Sequence, residues 1–350
     1  MTELSRKNFL RFLAASLSSL GSLYLAGCLN QDKLLSRSIS PDKISPTPFL
    51  PDPTEPVSTA TVEPTPTNQP TETPAPSPTL APPDLAVARN GKPEEMVRAA
   101  VKALGGMGRF VKPGDQVIVK PNICVAYHSY EYAATTNPWV VGTVVKLALE
   151  AGAKSVKVMD YPFAGTAKQA YQISGIQAEV QKAGGKMVVM SGIKFVQTDI
   201  PGGKDLKSAR IFDDVLRADV LINVPIAKNH GLALLTLAMK NLMGVIYDRP
   251  YMHAKLGQRL ADLSTRVRSH LVIVDAVRML MAKGPSGGDL GDVKKADTII
   301  ASPDIVAADS YAATLFGYRP DQFGYINKGA QMGLGTKDLN NMRIEVIPFG

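Results

Sequence analysis

The chain has 350 residues and a formal net charge of +8, and 14 of its 26 prolines fall between Pro41 and Pro83. A hydrophobic content of 45% and only two cysteines, Cys28 and Cys124, exclude a wholly disordered or collagen-like chain, a disulfide framework, and a four-cysteine zinc or iron-sulfur site within one chain. The positive charge permits an anionic partner, but it is spread through helices and turns with no aromatic RNA-binding motif or basic helix pair, so no nucleic-acid partner is expected.

In chain order, Ser5 to Arg11 place three basic side chains ahead of an apolar run at 12–27, the order of an export signal. The run is too short and too rich in serine for a comfortable membrane span. It ends in Leu25-Ala26-Gly27-Cys28, which resembles the lipobox of bacterial lipoproteins. That resemblance implies a signal peptide at 1–27, cleavage after Gly27 and a diacylglyceryl group on Cys28 that tethers the protein to a membrane. Ser5-Arg6-Lys7-Asn8-Phe9-Leu10-Arg11 also resembles a twin-arginine signal, with Lys7 where a second arginine is usual. An uncleaved anchor helix is the alternative, and it would tether the domain equally. Both readings tether the domain to a membrane surface, and the first makes it an exported, extracytoplasmic lipoprotein.

Residues 28–83 carry the lipidated cysteine and a Pro-, Thr- and Ser-rich linker with few large apolar side chains. Such a segment cannot bury enough surface to offset its ordering entropy and is expected to be disordered. Extended at ~3.1 Å per residue, its roughly 50 residues reach at most about 160 Å, a span suited to crossing a wall or surface layer. Residues 84–350 form the third segment, with 33 basic against 24 acidic side chains.

From residue 84 onward, short β-branched runs at 116–120, 155–159, 186–190, 220–224, 271–274, 298–301 and 343–347 read as strands. Between them, 94–104, 138–151, 167–182, 232–243, 256–267 and 303–315 have the apolar spacing of helices. Continuous apolar strands are buried on both faces, and strand–helix alternation predicts an α/β fold: a doubly wound, mostly parallel sheet with helices on both faces. In such sheets ligands sit beyond the carboxyl ends of the strands. Lys120-Pro121-Asn122, Asp160-Tyr161-Pro162, Ser191-Gly192, Asn223 to His230, Asp275, and Ser302 with Asp304 all collect there. Ser191, Ser302 and Asp304 read most simply as turn or cap residues.

A lysine or histidine at the end of a buried strand is costly unless it meets something negative. Lys120, Lys228 and Lys240 are therefore expected to neutralise a small anionic ligand, carboxylate or phosphate, with Asn122 and Asn241 orienting it and Arg249 adding hydrogen bonds. His230 is the expected acid/base, and Asp275 would orient it or hold a metal. His230, His253 and Asp275 are the candidate metal ligands, although a lysine and an asparagine ending an apolar helix can equally snorkel or cap it. His270 and His253 also read as satisfied helix-end residues. The loop Lys283 to Asp289 can bring backbone N–H groups of Gly284 and Gly287 to an anion, or be an ordinary turn. It is not a Walker A loop, and Gly105 to Gly108 follow no strand, so neither supports nucleotide binding. Cys124 reads as a small buried residue, or as a nucleophile served by His128 or His230.

Val111-Lys-Pro-Gly-Asp115, Val119-Lys120-Pro121-Asn122, Thr135-Thr136-Asn137-Pro138, Glu150 to Ala153, Asn223-Val-Pro-Ile-Ala-Lys228-Asn229-His230, Leu235-Thr236 through Lys240-Asn241-Leu-Met-Gly244, Val274-Asp275-Ala276, Gly284-Pro285 and Ala308-Asp309 together resemble the domain of unknown function 362 family. The resemblance covers roughly 95–318. It supports the site residues and implies no agreed reaction. Many members carry ferredoxin-like iron-sulfur segments, but this chain lacks the cysteines for a cluster of its own, and its cofactor is left open. The expected function is ligand binding, with action on the ligand, in a Lys/His/Asn-lined crevice. The alternatives are a non-catalytic solute-binding lipoprotein and an accessory factor for a redox partner.

Overall fold

The computed structural model describes residues 81–350. The export signal, Cys28 and the linker up to residue 80 lie outside the described residues. The first described elements are β1 (Leu85–Arg89), α1 (Pro93–Ala103), β2 (Gln116–Pro121), α2 (Pro138–Glu150), β3 (Ser155–Val158), α3 (Ala167–Ile173), α4 (Ile176–Lys182) and β4 (Lys186–Met187). A hairpin, β5 (Phe195–Asp199) and β6 (Ser208–Phe212), leads through α5 (Asp213–Arg217) to β7 (Val220–Val224), β8 (Ile226–His230) and β9 (Leu234–Thr236). Then come α6 (Ala238–Asn241), α7 (Arg249–Met252), α8 (Leu256–Arg266), the long strands β10 (Leu271–Leu280) and β11 (Val293–Ser302), α9 (Ile305–Thr314), α10 (Gly324–Gln331) and β12 (Ile344–Pro348).

Ten strands form one sheet in the order β12-β1-β11-β10-β7-β2-β3-β4, with β8 and β9 attached beside β10. Only β11 and β9 run against the others. The strands are apolar on both faces, as a two-sided core demands. Val117 and Val119 of β2 join the cluster under α1 to α4, while Ile118 joins the one under α6, α8, α9 and α10. Leu271 and Ile273 of β10 likewise face one cluster, and Val272 and Val274 the other. The fold is α/β, a mostly parallel sheet with helices on both faces, as the strand–helix alternation predicts.

Pro225 is the pivot that makes room for a site. Up to Val224, β7 lies between β2 and β10, with Pro121 opposite Val224 and Leu271 opposite Ile222. Beyond the proline the chain stays on β10, with Ile226 opposite Asp275, but it leaves β2 and takes β9 as its other neighbour. The carboxyl end of β2 therefore opens onto the β8–β9 hairpin instead of continuing as sheet.

Three expectations are revised. The helix expected at 232–243 is instead β9, α6 and a 3-10 turn at Leu242–Val245. Apolar spacing in a short run suits either state, and Leu234, at φ +62°, breaks a continuous helix there while pairing with His230. The helix expected at 167–182 is two helices, separated where Gly175 takes φ +76°. Strands β1, β5, β6, β8 and β9 are added, and β10 and β11 extend beyond the apolar runs as a two-stranded ribbon whose outer half is more polar.

Candidate anion-binding site

Lys120, at the end of β2, is fully buried. Its ammonium has three acceptors, one for each hydrogen: Asp160 Oδ1 at 2.8 Å, Asn241 Oδ1 at 2.9 Å and Pro121 O at 3.0 Å. Asp160 follows β3, the parallel neighbour of β2, so adjacent strand ends deliver the acid to the base. Its carboxylate also accepts from Ile123 N (2.6 Å) and Tyr161 N (2.9 Å). Burial pushes the Lys120 pKa down and the Asp160 charge opposes this. Gly244 passes so close that a side chain there would run into Asp160 Oδ1 and Lys120 Nζ.

Lys228, on β8 and 1% exposed, is also saturated, by Ala134 O (2.6 Å), Pro285 O (2.8 Å) and Asn122 Oδ1 (3.1 Å). None of these acceptors is a carboxylate. The two lysines are joined by amides: Asn122 Nδ2 donates to Asn241 Oδ1 at 3.0 Å, and Asn241 Nδ2 donates to Asn223 Oδ1 at 2.8 Å. Asn223 in turn donates to Ala238 O (2.9 Å), which ties the chain to the first residue of α6. Asn122 and Asn241, expected to orient a ligand, hold the lysines in register.

Lys240 differs from both. It is 8% exposed and makes neither a hydrogen bond nor an ion pair among the described residues. Burial first, and then the Lys228 charge with further contributions from Arg249 and Lys120, lowers its pKa to about 8. Thr236 lies opposite Lys228 across the β8–β9 pair, so the two side chains share a face. The Thr236 hydroxyl is buried with no hydrogen-bond partner among the described residues. Two residues along β8 from Lys228, His230 lies on that face as well. Its Nδ1 accepts from Leu232 N (3.1 Å) and Ala233 N (3.2 Å), which leaves the ring hydrogen on Nε2. Burial, then Lys240 and Lys228, lowers its pKa to about 3, so the ring is neutral and Nε2–H is a donor. Arg249 stacks over Tyr161, 4.6 Å to the ring centroid, and donates to Tyr161 O and Pro162 O at 2.8 and 3.0 Å.

Residues 117–314 match the model of the domain of unknown function DUF362. The chain belongs to that family. A thylakoid-associated protein of Synechocystis is 31% identical over 222 residues, which cover 61% of this chain and 66% of that relative, so the match falls short of two thirds of the relative's length. Among solved structures the chain is similar in part to a lactate racemase apoprotein from Thermoanaerobacterium thermosaccharolyticum, at 10% identity and a TM-score of 0.42 over 66% of this chain and 56% of that one. It is also similar in part to a Thermotoga maritima protein, at 11% identity and a TM-score of 0.39 over 65% and 60% of the two chains.

In this DUF362 domain, Lys120, Asn122, Lys228, His230, Lys240 and Asn241 come to one place, but Asp275 does not serve His230. Its carboxylate accepts from Asn137 N (2.7 Å) and Val277 N (3.0 Å), and burial raises its pKa to about 6. It holds the start of α2 against β10. The expected metal set is not assembled: no three His, Cys, Asp or Glu side chains among the described residues form a group that could hold a metal ion, and His253 is exposed beyond α7. Gly284 and Gly287 are needed for packing. A side chain at Gly284 would meet Asn229 O, and Gly287, at φ +65°, lies against Leu280 and Tyr132 O. Cys124 is buried, with Sγ 3.6 Å from the Pro285 carbonyl oxygen that also receives Lys228.

Sequence reasoning left Asp160, Thr236 and Asp309 out of the site. Asp160 was legible as a carboxylate closing the strand next to Lys120. Asp309, on α9, accepts from Ala238 N (2.6 Å) and Met239 N (3.0 Å) and so anchors the turn carrying Lys240. That contact links positions 70 residues apart and has no local signal.

Proposed function

We propose that this domain binds a small anionic ligand, a carboxylate or phosphate, beside Lys240, Lys228, His230 and Arg249, and acts on it. The observation that carries the reading is charge balance in a buried place. Three lysines and an arginine gather around one carboxylate, Asp160, and that carboxylate is committed to Lys120. Uncompensated cations in low dielectric are costly, and an anion relieves them. Lys240, with no hydrogen-bond or ion-pair partner among the described residues, and the Thr236 hydroxyl, buried and partnerless among them, offer donors to such an anion. His230 adds Nε2–H as a neutral donor. Proton transfer near neutral pH falls to Lys240, because an imidazole with a pKa near 3 holds no exchangeable charge there.

The domain is further proposed to be an exported lipoprotein, tethered through Cys28 and held away from its membrane by the Pro-rich segment. The lipobox-like Leu25-Ala26-Gly27-Cys28 supports this, and the description of the Synechocystis relative as thylakoid-associated agrees with a membrane setting.

Calorimetric titration with inorganic phosphate and with acetate tests the ligand class. Affinity for acetate, whose charge is constant in this range, is expected to be level from about pH 6 to 8 and to fall above about pH 8, as Lys240 loses its proton. Absence of binding by both anions, or an affinity indifferent to pH and to Lys240→Met, would overturn the reading. His230→Ala removes a neutral donor and is expected to weaken binding on either reading, so turnover itself separates the two once a substrate is in hand: an enzyme shows turnover that Lys240→Met abolishes, and a plain binding protein never shows any.

A further inference from the structure

Resting on the anion-binding reading, we propose that the Lys240 amine is a nucleophile that forms an imine with a small carbonyl compound bearing a carboxylate or phosphate. The three buried lysines are not equivalent. Burial pushes the pKa of Lys120 and Lys228 down as well, but each of those groups has three acceptors that fix its orientation and tie it to the protein. Lys240 is nearly as buried and has no partner among the described residues. Its backbone is nonetheless fixed, because Asp309 holds Ala238 N and Met239 N, and Asn241 is bonded to Lys120 and Asn122. An unpartnered amine on an anchored turn is positioned without being tied down.

The surroundings favour the same chemistry. The charges of Lys228, Arg249 and Lys120 attract the anionic end of a ligand and disfavour a further ammonium at Lys240. At about pH 8 half of the Lys240 population is neutral, roughly a hundredfold more than for a lysine of ordinary pKa. The partnerless Thr236 hydroxyl, on the Lys228 face of the hairpin, supplies a hydrogen-bonding group for the oxygen that leaves.

The step balances without an oxidant or metal. The Nζ lone pair attacks the carbonyl carbon, the N–C bond forms, the carbonyl π bond breaks, and one N–H proton moves to the oxygen to give a carbinolamine. Loss of that hydroxyl with the second N–H proton releases water and leaves the C=N bond. The imine then takes up a proton, becoming an electron sink for bonds at the neighbouring carbon.

The test is reductive trapping. The protein is incubated with pyruvate, and separately with pyridoxal phosphate, in the presence of cyanoborohydride, and the adduct is located by peptide mass spectrometry. One stoichiometric adduct at Lys240 is expected with at least one probe, suppressed by excess inorganic phosphate. Lys240→Arg is expected to lose the adduct while keeping the wild-type circular-dichroism spectrum and urea midpoint, so that the loss is not one of folding. Labelling spread over exposed lysines, an adduct that survives in Lys240→Arg, or no adduct with either probe would overturn the inference. If phosphate still binds in calorimetry under any of those outcomes, the anion-binding reading stands and only the imine falls. If phosphate and acetate also fail to bind, both fall.

Discussion

Replacing Asp160 by asparagine removes one charge of a fully enclosed pair while preserving its shape. The Lys120 ammonium would keep Pro121 O and Asn241 Oδ1 and lose its anionic partner among the described residues, 2.8 Å away. The new amide can turn only one oxygen toward its neighbours. Its nitrogen would then face Ile123 N–H on one side, or Tyr161 N–H and Lys120 on the other, a donor against a donor in either case. Breaking a buried pair from one side costs about 3–5 kcal/mol. That is a large share of the roughly 5–15 kcal/mol by which a domain is stable. For a domain of this size it corresponds to a Tm lower by on the order of 10 °C. Urea unfolding followed by circular dichroism reads the loss directly. Adding Lys120→Met to Asp160→Asn removes the stranded charge and should recover part of the stability, so the double variant is expected to be more stable than Asp160→Asn alone. A loss below about 1 kcal/mol, or a double variant no better than the single one, would refute the argument that this ion pair is a closed structural unit.

Gly244→Ala is expected to cost about 1–3 kcal/mol in the same assay, because its Cβ would sit 2.5 Å from Lys120 Nζ and closer still to Asp160. Gly244 is outside the left-handed region, so the effect is steric, and a variant as stable as wild type would contradict it. Asp309 supplies a pH prediction. Burial raises its pKa from 3.8 to about 7, so between those values the folded state holds a proton that the unfolded state has released. Its contribution to stability is greatest below the unfolded value, declines as pH rises toward about 7, and is level above. An asparagine side chain cannot titrate, so Asp309→Asn is expected to gain stability relative to wild type across that window, measured as the difference in urea midpoints. A difference that stays flat through the window would show that the carboxyl ionises normally when buried.

Much of the sheet is legible from the chain because a parallel strand buried on both faces must be apolar at every position. The runs beginning at Gln116, Val220 and Leu271 therefore announce themselves. β1 does not, since three of its five side chains, Ala86, Ala88 and Arg89, are small or charged. β8 and β9 do not because Ile226 to Thr236 mixes buried lysine, histidine and threonine with leucine, and only pairing with β10 makes it a strand.

At the site, residue types at the strand ends pointed to Lys120, Lys228, His230 and Lys240, because charged side chains beside apolar strands are costly and must have a reason to be there. What each one does was decided by neighbours distant in sequence. Asp160 neutralises Lys120 and three oxygens saturate Lys228, whereas no described group pairs with Lys240. Asp275, an equally plausible partner for His230 by type, spends its oxygens on Asn137 and Val277. Local composition and motif spacing were enough for the α/β class, the charged edge and the family, since those depend on burial, periodicity and short runs of residues. Which lysine is free to react follows from the folded arrangement alone, because hydrogen-bond saturation is a property of atoms brought together from β2, β8, α6 and the turns between them.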